Sequence, residues 1–172
     1  MAVNLTAGEF SNPELVKKVK SVLDKTGLPG RFLTLEITES MLISQLEKAI
    51  NTLKGLKKMG IVIAIDDFGT GYSSLSYLKR LPLDFLKVDR SFVKDIPEDN
   101  NDMEITAAVI SMAQKLHLQV VAEGVETEEQ LRFLEGNSCN YYQGYLFSKP
   151  KPYAELETVF TEMLTKLDQE VL

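Results

Sequence analysis

Two adjacent aspartates, Asp66 and Asp67, follow the apolar run Ile61–Ile65 and precede Gly69 and Gly71. Neighbouring carboxylates repel unless something cationic lies between them. Hard oxygen ligands of this kind suit magnesium or manganese. A plainer reading stands beside it, because aspartate is also a favoured helix N-cap and a helix is expected near Leu75. More polar residues sit in or at the ends of other apolar segments: Asn4 in AVNL, Glu36 in FLTLEIT, Lys87 in FLKV, Asp89 just after it, and Glu123 after LQVVA. Separate burials of unpaired charge would each cost several kcal/mol. One shared cationic site accounts more economically for Asn4, Glu36, Asp66, Asp67, Lys87 and Glu123 together. Singly, each has a bland role. Lys87 reads as a snorkelling lysine, and Glu39 and Glu126 as carboxylates favoured at helix starts. His117 reads as structural.

The segments that carry these residues alternate in type. Strands are expected at Ala2–Leu5, Phe32–Thr38, from Ile61, Phe85–Val88, Leu118–Ala122 and Asn140–Leu146, the last carrying Gln143. The run at Ile61 is apolar without alternation, as in a strand buried on both faces. Helical spacing follows Ser11–Asn12–Pro13, marked by Leu15, Val16, Val19, Val22 and Leu23, and stops at Gly27 and Pro29–Gly30. Leu46 to Leu56 marks the next helix, closed by Gly60. Ser73 or Ser74 is a candidate cap for a helix over roughly Ser74–Arg80. Asp102 precedes a helix through Leu116, and Thr127 with Glu129 or Gln130 caps another. A final helix is expected from Tyr153, with Leu156, Val159, Phe160, Met163, Leu164 and Leu167 on one face. Strand and helix in alternation imply parallel strands joined by right-handed crossovers. The chemically suggestive residues lie near the C-terminal ends of those strands, where α/β folds bind ligands.

Composition narrows the partners. The chain has 172 residues, 44% of them hydrophobic, and a formal net charge of -6. That suits a single domain with a real core. The acidic balance argues against a nucleic-acid polymer as partner. No apolar run approaches the roughly 20 residues of a membrane span, and MAVNLTAGEF lacks the regions of a signal peptide. Cys139 is the one cysteine, so no internal disulfide forms. A reducing cytoplasm is the default expectation, with Cys139 as a small buried hydrophobe.

The segments AVNLTAGEF, LEITES, IDDFGTGYSSLSYLKRLPLDFLKVDRSFV, VVAEGVET and NYYQGYLFSKP resemble, in order, those of the EAL domain family, bacterial cyclic-di-GMP phosphodiesterases. The resemblance covers nearly the whole chain. It implies a TIM-like (β/α) barrel that hydrolyses cyclic-di-GMP to pGpG with two ions, Mg2+ or Mn2+. Matched residue by residue, Asn4, Glu36 and Asp66 correspond to ligands of one ion. Asp66 is also the bridging ligand, and Asp67 and Glu123 belong to the second. Lys87 matches the lysine that holds the attacking water, and Glu123 the residue credited with general-base duty. Gln143 matches a substrate-pocket position. Glu39, Asp89, Glu126, Gly69, Thr70 and Gly71 match supporting positions, and Glu126 is expected to anchor the DDFGTGYSSL loop.

The tripeptide that names the family, Glu-Ala-Leu, does not occur here. About six β/α units are present where the barrel has eight, so an incomplete barrel with two open edges is expected. Such a chain could be cut from a longer protein, could be completed by a second copy, or could rearrange its sheet. The expectation is a truncated EAL domain over 1–172 that self-associates and hydrolyses cyclic-di-GMP weakly if at all. A non-catalytic cyclic-di-GMP-binding or protein-interaction module is the alternative.

Overall fold

A computed structural model describes residues 1–43, 46–69, 75–158 and 160–161. Its one sheet runs β1 (Ala2–Asn4), β2 (Thr34–Thr38), β3 (Val62–Phe68), β4 (Phe85–Val88), β5 (Gln119–Glu123) and β6 (Tyr141–Gln143). The spatial order is the sequence order, and every neighbouring pair is parallel. The sheet curls into part of a barrel, with helices on its convex side. These are α1 (Ala7–Ser11), α2 (Leu15–Thr26), α3 (Glu39–Ile43), α4 (Leu46–Lys57), α5 (Leu75–Leu78), α6 (Asn100–Lys115) and α7 (Glu128–Gly136). Residues 153–158 are helical as well.

Strand periodicity sorts the side chains. Leu35 and Ile37, Ile63 and Ile65, Leu86 and Val88, and Val120 and Ala122 face the helices and are buried. They share one core with Leu53 and Leu56 of α4, Ile110 and Ala113 of α6 and Leu134 of α7. The residues between them face the concave side, Glu36, Lys87 and Glu123 among them. Aliphatic outer faces thus fix the strands, and the inner face is left for polar groups.

The strands agree in number and order with the sequence reading, and their limits differ for local reasons. Phe32 lies in a 3-10 turn, Gly30–Phe32, ahead of β2. β3 runs on through Asp66 and Asp67 to Phe68. Helix α1 is set by a capping box the reading passed over: the Glu9 amide donates to Thr6 Oγ1 and the Thr6 amide to Glu9 Oε2. Asn12 Oδ1 accepts from the Glu14 amide at 2.9 Å, so helix α2 starts at Leu15, past Pro13. Asp99 caps α6 through the amides of Asn101 and Asp102, one turn ahead of the expected start. For α7 the Thr127 box closes with Gln130. The candidate caps Ser73 and Ser74, and Val159, Met163, Leu164 and Leu167 of the last helix, lie outside the described residues.

Asp84 ties the N-terminal ends of three strands. Its carboxylate accepts from the Ile63 amide at 2.8 Å and from Lys57 Nζ at 2.7 Å. Its backbone carbonyl accepts from the Gln119 amide at 2.9 Å. Cys139 is buried as expected, with Sγ 3.4 Å from the Tyr141 carbonyl, and burial pushes its thiol pKa up. Replacing Asp84 with alanine strands the Ile63 amide and should lower the urea-unfolding free energy by about 1–3 kcal/mol. Asp84→Asn, which keeps an acceptor for that amide, should lose less.

Candidate active site

Lys87 lies between two core residues of β4, Leu86 and Val88, so alternation turns it to the concave face. There it meets three carboxylates from three other strands. Its Nζ is 3.1 Å from Glu36 Oε1 of β2, 2.9 Å from Asp66 Oδ1 of β3 and 2.7 Å from Glu123 Oε1 of β5. An ammonium has three protons to donate, and each has an acceptor here. The lysine side chain is 6% exposed, so it does not snorkel. Burial alone would depress its pKa. The hydrogen bonds to Glu123 and Asp66 and their charges outweigh that and hold it above the ordinary lysine value.

Strict alternation would send Asp67 to the opposite face from Asp66, into the helices. The backbone prevents this. Ile65 pairs with Leu86 but Phe68 pairs with Val88, so three steps on β3 match two on β4. The extra residue makes a bulge, and Asp67 takes it up at φ 52°, a left-handed conformation that aspartate tolerates better than most residues. The Asp67 amide donates to Asp66 Oδ1 at 3.1 Å. Phe68 then returns to the core. As a result Asp66, Asp67 and Glu123 each offer a carboxylate oxygen, all within 4.8 Å of one another.

Four carboxylates therefore gather round one ammonium. Burial, then the charges of Asp66 and Asp89, push the Asp67 pKa up against the pull of Lys87. Burial raises that of Glu123 too; Lys87 opposes it, and Asp66 and Glu36 add to it. Burial is the larger cause in both, and four carboxylates against one ammonium leave surplus negative charge besides. Oxygen donors this close together fit a hard divalent cation, which relieves that surplus.

The remaining predicted residues stand around this centre. Asn4 pairs in register with Glu36, and Gln143 with Glu123, one at each flank of the cluster. Asp89 accepts from the Ser91 amide at 2.9 Å and caps the short turn Arg90–Phe92. Glu39 is almost fully buried and accepts the Tyr77 hydroxyl at 2.6 Å. Glu126 pairs with Arg90 at 2.8 Å. Gly69 has φ 101°, and a Cβ there would meet the Phe92 ring at 2.9 Å, so both conformation and space require glycine. Thr70 and Gly71 lie outside the described residues, as do residues 72–74 of the DDFGTGYSSL loop that Glu126 is expected to anchor. Tyr77 and Arg90 join these contacts without a signal of their own in the sequence. Nothing in the sequence links Tyr77 to Glu39, and Arg90 was signalled only by its place beside Asp89.

An open cleft of about 520 Å³ adjoins the cluster at Glu123 and continues past Gln143. No helix among the described residues is long and apolar enough to cross a membrane.

Residues 1–150 match the EAL domain family. The cyclic di-GMP phosphodiesterase NbdA of Pseudomonas aeruginosa is 55% identical over 157 residues, which is 91% of this chain and 20% of NbdA. The chain spans about a fifth of the length of the curated relatives it matches. A solved structure of the PaMucR phosphodiesterase in complex with c-di-GMP superimposes with a TM-score of 0.87 at 44% identity, covering 90% of this chain and 63% of that one. Klebsiella pneumoniae BlrP1, solved with manganese and cy-diGMP, gives 0.79 at 38% identity over 87% of this chain and 38% of its own. With six parallel strands in the same arrangement and a family match over most of its length, the chain belongs to the EAL domain family.

Proposed function

We propose that this chain carries most of the catalytic centre of a metal-dependent phosphodiesterase that hydrolyses cyclic-di-GMP to pGpG. The observation that supports this best is the gathering of Glu36, Asp66 and Glu123 on Lys87, with Asp67 brought in by the β3 bulge. Asn4, Glu36 and Asp66 are the ligands assigned to one Mg2+ or Mn2+ ion, and Asp66, Asp67 and Glu123 to the other. Bound divalent ions supply charge stabilisation at the attacking and leaving oxygens of a phosphodiester. With cations on the carboxylates, Lys87 would turn one of its three donors from a carboxylate to the water that attacks phosphorus and orient it, and Glu123 would take a proton from that water as general base. The water oxygen bonds to phosphorus as one P–O ester bond breaks, and the leaving oxygen takes up a proton from solvent to become the free hydroxyl of pGpG. Gln143 contacts the substrate from β6. Glu39, Asp89, Glu126 and Gly69 hold the surrounding loops, as Thr70 and Gly71 are assigned to do.

The resemblance gives the glutamate of Glu-Ala-Leu as one more metal ligand, and these residues contain no such tripeptide. Hard-cation affinity follows the number of charged ligands, and the chain by itself is accordingly assigned weak turnover. The alternative, a non-catalytic cyclic-di-GMP-binding or protein-interaction module, draws on the missing tripeptide and the incomplete barrel. Calorimetry with cyclic-di-GMP and Mn2+, followed by chromatography of the mixture, separates the two. Binding with pGpG formed supports the phosphodiesterase; binding with no product supports the module. No binding refutes both cyclic-di-GMP readings. Asp66→Asn should weaken Mn2+ binding by at least about tenfold.

The edge strands β1 and β6 also favour pairing with a second copy in the cytoplasm. Beside β1 lies an apolar groove of about 840 Å³ lined by Val3, Leu5, Val19, Val22 and Phe32. Light scattering at micromolar concentration should report a dimer or larger species, and a stable monomer would refute self-association.

Lys87→Met should cost the metal-free protein about 3–5 kcal/mol of stability, because it leaves three largely buried carboxylates facing one another without their cation. Mn2+ should restore part of that loss in thermal melts.

A further inference from the structure

The turn that follows β4 touches the ends of both neighbouring strands. It spans Arg90–Phe92, and Asp89 starts it by accepting the Ser91 amide at 2.9 Å. On one side the Arg90 stem crosses Gly124, just past Glu123. A Cβ at Gly124 would fall 2.2 Å from Arg90 Cγ. On the other side the Phe92 ring lies on Gly69, just past the β3 bulge. A Cβ at Gly69 would fall 2.9 Å from Phe92 Cε2 and 3.2 Å from Cζ. Phe92 is itself held from behind. Its carbonyl accepts the hydroxyl of Thr106 at 3.0 Å, and Thr106 is fully buried in α6. Its ring packs against the main core, and the next residue, Val93, is part of that core.

Resting on the phosphodiesterase reading, we propose that Phe92 is a positioning residue for the metal centre, holding Asp67 on the ligand side of β3 through Gly69. Asp67 at φ 52° and Gly69 at φ 101° flank Phe68, which is buried in the core. Asp67 carries a Cβ, so its conformation is strained and persists only where the surroundings enforce it. Phe68 pins the chain between the two positions. Gly69 has no side chain with which to anchor itself, and the Phe92 ring closes the space over it. With that ring removed, the backbone at Gly69 is free to shift and Asp67 to return to an extended φ. Strand alternation then turns its carboxylate to the face opposite Asp66. The oxygens of Asp66, Asp67 and Glu123 would no longer lie within 4.8 Å of one another. Phe92 is not a ligand itself; it acts through the backbone of the residue that is.

The test is Mn2+ titration followed by electron paramagnetic resonance, on the whole chain, Phe92→Ala, Phe92→Leu, Asp67→Gly and Asp67→Gly/Phe92→Ala. Asp67→Gly removes the carboxylate and adopts a positive φ freely, so it marks the ion that Asp67 holds. Phe92→Ala should weaken that same ion about tenfold and leave any other bound ion unchanged. Phe92→Leu, which refills part of the space over Gly69, should recover part of the loss. On the Asp67→Gly background, Phe92→Ala should cost no further affinity. Thermal melts in EDTA establish that each variant is folded, and Phe92→Leu carries the same cycle if Phe92→Ala does not fold. Unchanged Mn2+ affinity in the folded Phe92 variants would overturn the assignment and leave the phosphodiesterase reading intact. So would an equal loss at every bound ion, a further loss on the Asp67→Gly background, or an affinity that Asp67→Gly does not move. If the unaltered chain binds no Mn2+, both readings fall.

Discussion

A buried ammonium with three carboxylate partners organises this molecule. Desolvating Lys87 is costly, and only full use of its three donors offsets that. Glu36, Asp66 and Glu123 therefore have to approach from β2, β3 and β5 at once. In a flat sheet β2 and β4 would stand roughly 9.5 Å apart, so the contact between Glu36 and Lys87 belongs to a curled sheet with long side chains leaning inward. The same contacts gather more negative charge than one lysine neutralises. The arrangement is stable enough to form and still carries net negative charge.

The β3 bulge is the second constraint. Without it, the neighbours Asp66 and Asp67 would face opposite sides of the sheet. A left-handed aspartate and an extra step against β4 place both on the open side and return Phe68 to the core within one residue. Strain at one backbone position is exchanged for two carboxylates on one side, and the hydrogen bond from the Asp67 amide to Asp66 helps hold it. Gly69 and Gly124 do comparable work nearby, each leaving space where Phe92 or Arg90 crosses the backbone.

Around this centre the supporting contacts are mostly pairs between segments that follow the strands' C-terminal ends. Tyr77 with Glu39, and Arg90 with Glu126, link segments far apart in sequence. Asp84 plays the matching part at the opposite end of the strands, where no chemistry is assigned and stability is the whole role. One end of the sheet is thus built for firmness and the other for charge, the usual division in parallel α/β structures.

Much of this was written in the sequence. Aliphatic alternation in β2, β4 and β5 fixed which side chains enter the core, and so left Glu36, Lys87 and Glu123 to the other face. The order of strands followed from alternation with helices, and the distinctive segments around Asp66 and Glu123 carried the family. Local hydrogen bonds shifted the ends of elements, as at Thr6, Asn12 and Asp99, because several residues nearby could have capped equally well. Tertiary structure alone decided that Lys87 is buried rather than snorkelling, that Asp67 joins Asp66, and that Arg90 lies across Gly124. Each depends on register and on curvature between strands that are not neighbours in the chain, and a linear pattern of residue types encodes neither.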